Sequence, residues 1–309
     1  MGEGSGYGKV ILFNEHFVVY SIPAIASAIG SKTIAKVEHF EGKGWSIQDD
    51  RPATPGYKKE KLDHQKDSME RILKAAGIDA NTTPIKIILK GDLKAASGVG
   101  ASAASCAAIA RALSRQFNLG FSDEKINEIA YEGEKGYHGT PSGIDNTAAT
   151  FGGLIWFQRG EPNVMERLKL KEPVEIVMGN TGVVANTKAA VAGVRERKEK
   201  EPEKYENLFS AANDLAQEAR KALESYDLEA VGNYMNKNHG LLQRIEVSSR
   251  DLDLLVELAK DHGALGAKMT GGGLGGYMVA LTPGKKAQEE VAKVMEKEGF
   301  EALRTRIGI

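Results

Sequence analysis

The chain has 309 residues, long for one hydrophobic core and suited to two domains. Lys plus Arg number 41 and Asp plus Glu 42, so no net field favours nucleic acid or a membrane surface, and any phosphate site must be local. There is no apolar run of membrane-spanning length, no signal-peptide core and no terminal targeting tripeptide, which leads us to expect a soluble, cytoplasmic protein; the lone Cys106 excludes an internal disulfide or a zinc site of several thiolates.

Residues 8–20, GKVILFNEHFVVY, contain a continuous apolar run, Val10 to Phe13, which predicts a strand buried on both faces. At period two Lys9 shares a face with Ile11 and Phe13, an unfavourable place for an ammonium unless an anion lies opposite it. Glu15 and His16 follow where the strand ends, and charged groups clustered there favour a site over a strand that merely surfaces. Further strands are predicted over 31–50 and 85–90, with a helix from Asp67 to Ala76 closed by Gly77. RPATPG at 51–56 reads as a loop by its prolines, and the charge-dense 58–67 as a solvated helix face.

Residues 96–106, ASGVGASAASC, are too small to fill a core and too rich in glycine for a strand. They lie between the apolar run Ile85–Leu89 and a helix whose Cys106, Ile109, Leu113 and Phe117 share one face. The segment is therefore a loop that opens a helix. Gly98 and Gly100 let backbone N–H groups turn outward at the positive end of the helix dipole, which makes a seat for phosphate. A Walker loop would need Lys-Ser/Thr after its second glycine, where Ala101 and Ser102 stand. A dinucleotide fingerprint fits Gly98, Gly100 and Ala103, but its glycines should follow the strand directly, and they do not. From the loop alone, close packing of small residues accounts for it as well as phosphate does. Cys106, on the apolar face, reads as core.

Ser122 caps the next helix, with Asp123 and Glu124 in its first turn, and the inner row Ile126, Ala130, Glu134 places a carboxylate on the apolar face. An unpaired buried carboxylate is costly, so Glu134 requires a cationic partner, either a metal or a lysine. HGTPSGIDN at 138–146 is turn chemistry with one acid, Asp145, which alone is explained as a local backbone cap. Near residue 173 the pattern changes. A strand at Val174–Met178 gives way to charged helices at about 188–200, 203–224, 227–241 and 251–262, so domains are expected over 1–173 and 174–309. Five glycines within 271–276, between two apolar runs, imply a backbone approached closely by another chain or by a ligand. A last amphipathic helix turns Ala287, Val291, Val294 and Met295 inward.

In this order, GKVILFNEH, SGVGAS, GEKGYHGTPSGIDN and KMTGGGLGG resemble the GHMP family of small-molecule kinases. With EHFVVY, RPATPGY and NTKAAVAGVRER the resemblance spans nearly the whole chain. It implies an α+β fold of two domains, an N-terminal ribosomal S5-like domain and a C-terminal ferredoxin-like domain, with ATP in the cleft between them. The implied activity is ATP- and Mg2+-dependent phosphorylation of mevalonate, a step of isoprenoid biosynthesis, ahead of phosphomevalonate, homoserine or a sugar as acceptor; a homodimer is compatible with it. By the same match Asp145 would accept the proton of the substrate hydroxyl, and Lys9 would lower that hydroxyl's pKa and steady the transferring phosphoryl group. Ser97, Gly98, Val99, Gly100, Ala101 and Ser102 would wrap the triphosphate, and Gly271, Gly272 and Gly273 would close over it. Ser102 and Glu134 would hold Mg2+, while Glu15, His16 and Arg159 would orient the substrate.

The chain departs from the family pattern at Asn14, Ser21 and Leu274, where glycine is usual, and at Ala101, which replaces the first of two serines. Asn tolerates a left-handed backbone, so the turn at Asn14 survives. A dinucleotide oxidoreductase would need an acidic residue ending a second strand, where 117–124 begins a helix instead. A catalytically dead sensor on the same fold would have no need of Lys9, Glu134 and Asp145 together.

Overall fold

In the computed structural model, which describes residues 1–95, 98–185 and 187–309, the chain forms two units. The first joins Met1–Lys9 to Ile29–Gly152. Its strands are β1 (Gly2–Phe13), β2 (Ala24–His39), β3 (Trp45–Asp49) and β4 (Ile85–Lys90). Its helices are α1 (Tyr57–Glu60), α2 (Leu62–Ala76), α3 (Ala101–Gln116), α4 (Asp123–His138) and α5 (Ile144–Phe151). β4 pairs parallel with β3 and antiparallel with β2, which also pairs with β1. Met69, Ile72 and Leu73 of α2, Cys106, Ile109 and Leu113 of α3, and Ile126 and Ile129 of α4 close one core over Val37, Ile85, Ile87 and Leu89. The expected helical faces are the buried ones.

β1 starts at Gly2, well before the apolar run, and the reason is steric. Gly2, Gly4 and Gly6 recur at period two, and a Cβ on each would collide with the carbonyl oxygens of Ala112, Ala108 and Ala104 in turn. The helix therefore lies directly on the strand backbone, and its small residues are explained by packing along that row. Only the loop ahead of α3 is left to be explained by something else.

The second unit joins Val10–Ala28 to Gly153–Ile309. It holds β5 (Leu154–Gln158), β6 (Val164–Leu168), β7 (Val174–Asn180), β8 (Gly266–Thr270), β9 (Tyr277–Leu281) and β10 (Glu301–Ile307). Its helices are α6 (Thr187–Lys200), α7 (Pro202–Glu224), α8 (Leu228–Arg244), α9 (Arg250–Asp261) and α10 (Lys285–Lys297). β10, β7, β9 and β8 lie side by side, all antiparallel. Asp227 and Ser249 cap α8 and α9 by accepting from Ala230 N and Leu252 N, and Pro202 occupies the first turn of α7. Within this unit β5 pairs with Ala24–Ser27 at the start of β2, and β6 pairs with β5. No described helix is long and apolar enough to cross a membrane.

Candidate active site

Lys9 is buried at 6% exposure, and its N–H donates to Val99 O at 2.9 Å. Gly100 caps α3 in the left-handed region with φ 68°, and a Cβ there would lie 2.7 Å from Lys9 Cγ. Glycine alone meets both demands, so the loop is shaped to lie on the lysine stem. Lys9 Nζ stands 3.3 Å from Asp145 Oδ1. Asp145 is in the first turn of α5, whose cap is Gly143, so it is not the local backbone cap that turn chemistry alone suggests. The lysine side chain is 7% exposed and the aspartate 31%, which leaves the carboxylate open to a reactant. Gly98, Val99, Gly100, Ala101 and Ser102 follow one another into α3, with Val99 and Ala101 buried, and Gly98 has φ 95°. Ser97 lies outside the described residues.

On α4, Ser122 Oγ accepts from Lys125 N, as its capping position requires. Glu134 is 1% exposed, flanked by Gly133 and Gly136, where a side chain would strike Cys106 and Ile72 on one side and the Ser68 backbone on the other. Burial pushes the Glu134 carboxyl up to about 8, with the Asp145 charge adding to the rise, while the Ser102 hydroxyl and Lys9 pull it back. The required cationic partner is not a lysine in direct contact. The charge contact of Glu134 is His138 Nε2 at 3.8 Å, and burial lowers that imidazole's pKa, so it stands neutral near pH 7. Ser102 Oγ lies 3.4 Å from the same Nε2. Glu134 Oε1 is buried with no hydrogen-bond partner among the described residues.

A buried carboxylate with its Oε1 unpartnered, and a serine hydroxyl that shares the neighbouring imidazole with its Oε2, form a sparse set of hard donors. That suits Mg2+, which keeps waters and phosphate oxygens as its other ligands. Among the described residues no three His, Cys, Asp or Glu side chains converge to cage a softer metal. His138 was not singled out by sequence reasoning, although its i+4 spacing from Glu134 is the available signal. A cavity of about 100 Å³ opens beside Ser102, lined in part by Arg51, Tyr57, Lys58, Lys61 and Tyr137. Cys106 is core as expected, since it is 1% exposed and burial drives its thiol far up.

The remaining site candidates belong to the second unit. Asn14 has φ 69°, as the turn demands, and its side chain does what glycine could not: Nδ2 donates to Pro23 O and Ala212 O, both at 2.8 Å, and Oδ1 accepts from Asn238 Nδ2 at 2.9 Å. Glu15 is buried against Lys268, whose ammonium also donates to Met269 O at 2.6 Å. Burial pulls the Lys268 pKa down, and the Glu15 charge opposes it. His16 Nε2 lies 3.0 Å from Gly272 O, and burial lowers the ring's pKa to about 4, so a neutral Nε2–H donates to that carbonyl. Thr270 Oγ1 donates to Ile11 O at 2.9 Å. The end of β1 is thus bolted to β8 and the glycine loop, and Glu15 and His16, expected to orient substrate, make these protein contacts. Lys268 was not anticipated, hidden in an apolar run.

The glycine loop 271–276 is crowded by the protein's own backbone and side chains. A Cβ at Gly272 would collide with Thr187 Oγ1, and one at Gly273 with Val247 O. Gly271 has φ 82°, and Leu274, at φ 55°, keeps the backbone conformation of a glycine while remaining 40% exposed. Arg159 is exposed just beyond β5.

This chain belongs to the GHMP kinases: the N-terminal domain of that family matches residues 64–153 and the C-terminal domain residues 219–302. The α+β fold of N- and C-terminal GHMP kinase domains expected from the motifs is the one found. Among its relatives, the mevalonate kinase of Pyrococcus abyssi is 35% identical over 98% of this chain and 94% of that protein. The crystal structure of L. major mevalonate kinase in complex with R-mevalonate matches with a TM-score of 0.95 at 37% identity, covering 99% of this chain and 96% of that one. Lactococcus lactis galactokinase complexed with galactose shares the fold with a TM-score of 0.74 at 21% identity, covering 99% and 93%.

Proposed function

We propose that this chain transfers the γ-phosphoryl group of ATP to the terminal hydroxyl of mevalonate. The observation that carries this reading is the Lys9–Asp145 pair at 3.3 Å, with the glycine loop that leads into Ser102 lying on the lysine stem. Asp145 accepts the hydroxyl proton through its exposed carboxylate or orients the alcohol as that proton leaves. Lys9 holds the aspartate in place and offsets negative charge as the phosphoryl group moves. Glu134 and Ser102 hold Mg2+, which when bound neutralises charge on the phosphates. The N–H groups opening α3 receive phosphate oxygens. Gly271, Gly272 and Gly273 offer backbone donors of their own, in a loop of the second unit that Glu15, His16 and Lys268 hold in shape. Arg159, exposed and cationic, suits the mevalonate carboxylate.

The test is ADP release by the purified protein with Mg·ATP and, separately, mevalonate, phosphomevalonate, homoserine, galactose and shikimate. Stimulation by mevalonate alone supports the reading. Stimulation by another member of the panel, without mevalonate, overturns the acceptor and leaves the family standing.

A further inference from the structure

RPAT at 51–54 reads in the sequence as a bare loop, and the proposed chemistry leaves it without a role. In the first unit it carries an unusual density of bonds. Arg51 is 5% exposed, and its Nε and Nη2 donate to the two oxygens of Asp49 at 2.9 and 2.7 Å. Nη1 donates to Thr33 Oγ1 at 3.1 Å, to Ala101 O at 3.2 Å and to Ser105 Oγ at 2.7 Å. Lys58 Nζ seals the turn by donating to Asp49 O and Arg51 O, each at 2.6 Å. The backbone of the same segment holds Ala95, since Ala95 N donates to Pro52 O at 2.7 Å and Thr54 N to Ala95 O at 3.1 Å.

These bonds fall at both ends of the loop. Ala95 is its upstream anchor, and Ala101 and Ser105 are the first turn of α3, on either side of Ser102. A guanidinium at a helix N-terminus is opposed by the helix dipole, and burying it costs more still unless it is paired. Asp49 supplies the pairing. Besides its bond to Thr33 on β2, Nη1 reaches the start of α3, from which the loop's N–H groups and the Ser102 hydroxyl project. A lysine could supply the charge but not this planar fork.

We infer that residues 51–54 are a brace that fixes both ends of the phosphate loop, and that Arg51 is a positioning residue for Ser102 and for phosphate binding at the start of α3. The inference rests on the proposed Mg·ATP site. It does not depend on which alcohol is phosphorylated.

Its test uses Arg51→Lys and Ser105→Ala in the full chain, with Arg111→Lys as control. Arg111 is also a bonded arginine of the first unit, donating to Ser5 O and Thr150 O, and it lies away from the loop. A misplacement of about 1 Å costs up to about 10²-fold in rate. For Arg51→Lys we expect a fall of roughly 10-fold or more in kcat and a similar rise in KM for Mg·ATP, with KM for the acceptor within about twofold. Ser105→Ala, which removes one arm in a residue that a helix accepts readily, should show a smaller change of the same kind. Arg111→Lys should lower the melting temperature without this split.

If Arg51→Lys and Ser105→Ala both retain kcat and KM for Mg·ATP within about twofold of wild type, the brace is a stability element only and the inference is wrong. Calorimetric titration with Mg·ATP and no acceptor separates the two proposals. Weakened binding in Arg51→Lys upholds the brace even if mevalonate is not the acceptor, and unchanged binding overturns it even if mevalonate is.

Discussion

Replacing Glu134 by Gln should stabilise the protein without metal while disabling it with metal. In the folded state burial raises the carboxyl from 4.5 to about 8. Relative to a neutral amide the carboxyl therefore lowers stability by roughly 3 kcal/mol at pH 7, where it keeps its proton in the fold, and by roughly 5 kcal/mol above 8, where it ionises in place, at about 1.4 kcal/mol per unit. The sign follows from proton binding: between about 4.5 and 8 the folded state holds a proton that the unfolded chain has released. The group's contribution is thus fully present below 4.5 and is lost as pH rises through 8. Against Glu134→Gln, wild type should lose about 1.4 kcal/mol per pH unit across that window and then level off. Urea unfolding of both proteins at pH 5.5, 7 and 8.5, without divalent cation, measures the difference, in which other titrating groups cancel. Adding Mg·ATP should stabilise wild type by about 2.7 kcal/mol at a hundred times its Kd, and the Gln variant by much less. A pH-independent difference would refute the argument, because it would mean that Glu134 is ionised beside a cation already in the fold.

Asp145→Asn keeps shape and a hydrogen bond; a loss of about 10-fold in kcat would assign it to orientation and 10²-fold or more to proton transfer, with mevalonate binding little changed in either case. Lys9→Ala should cost at least as much, and steady-state kinetics on both variants checks this. Lys268→Met alone should destabilise by about 3–5 kcal/mol by removing the ammonium that pairs with buried Glu15, whereas Lys268→Met with Glu15→Gln should recover much of the loss, as denaturant titration of the single and double variants would show. Gly4→Ala should cost about 1–3 kcal/mol through its collision with α3, read as a lowered melting temperature with kcat unchanged at 25 °C.

Part of the proposed site was legible from physical pattern, while the roles of Ser102 and Asp145 came only from the family resemblance. Glu134 on an apolar face, Lys9 flanking a buried strand and the glycines before α3 each violate core packing locally, and local violations are visible in a sequence. Contacts between distant segments are not. The Lys268–Glu15 pair, the bond from His16 to Gly272 and the forked reach of Arg51 to α3 depend on tertiary placement that no periodicity encodes. The alternate glycines at Gly2, Gly4 and Gly6 did carry a signal, matched by alanines four apart in α3, but a strand reading weighted toward apolar residues passes over them. For a related reason the change from strands to helices near residue 173 marks element type, whereas compact units are set by strand pairing between residues far apart in sequence, as between β5 and Ala24–Ser27.

The central claim, that Lys9, Asp145, Ser102 and Glu134 together carry phosphoryl transfer to mevalonate, is tested most directly by watching phosphorus. A 31P NMR time course of the protein with Mg·ATP and mevalonate should show the ATP γ-resonance replaced by a phosphomonoester resonance in step with ADP, and the same course with Asp145→Asn should slow by 10-fold or more. ADP and inorganic phosphate appearing without a phosphomonoester, or the Asp145→Asn protein forming the ester at the wild-type rate, would contradict it.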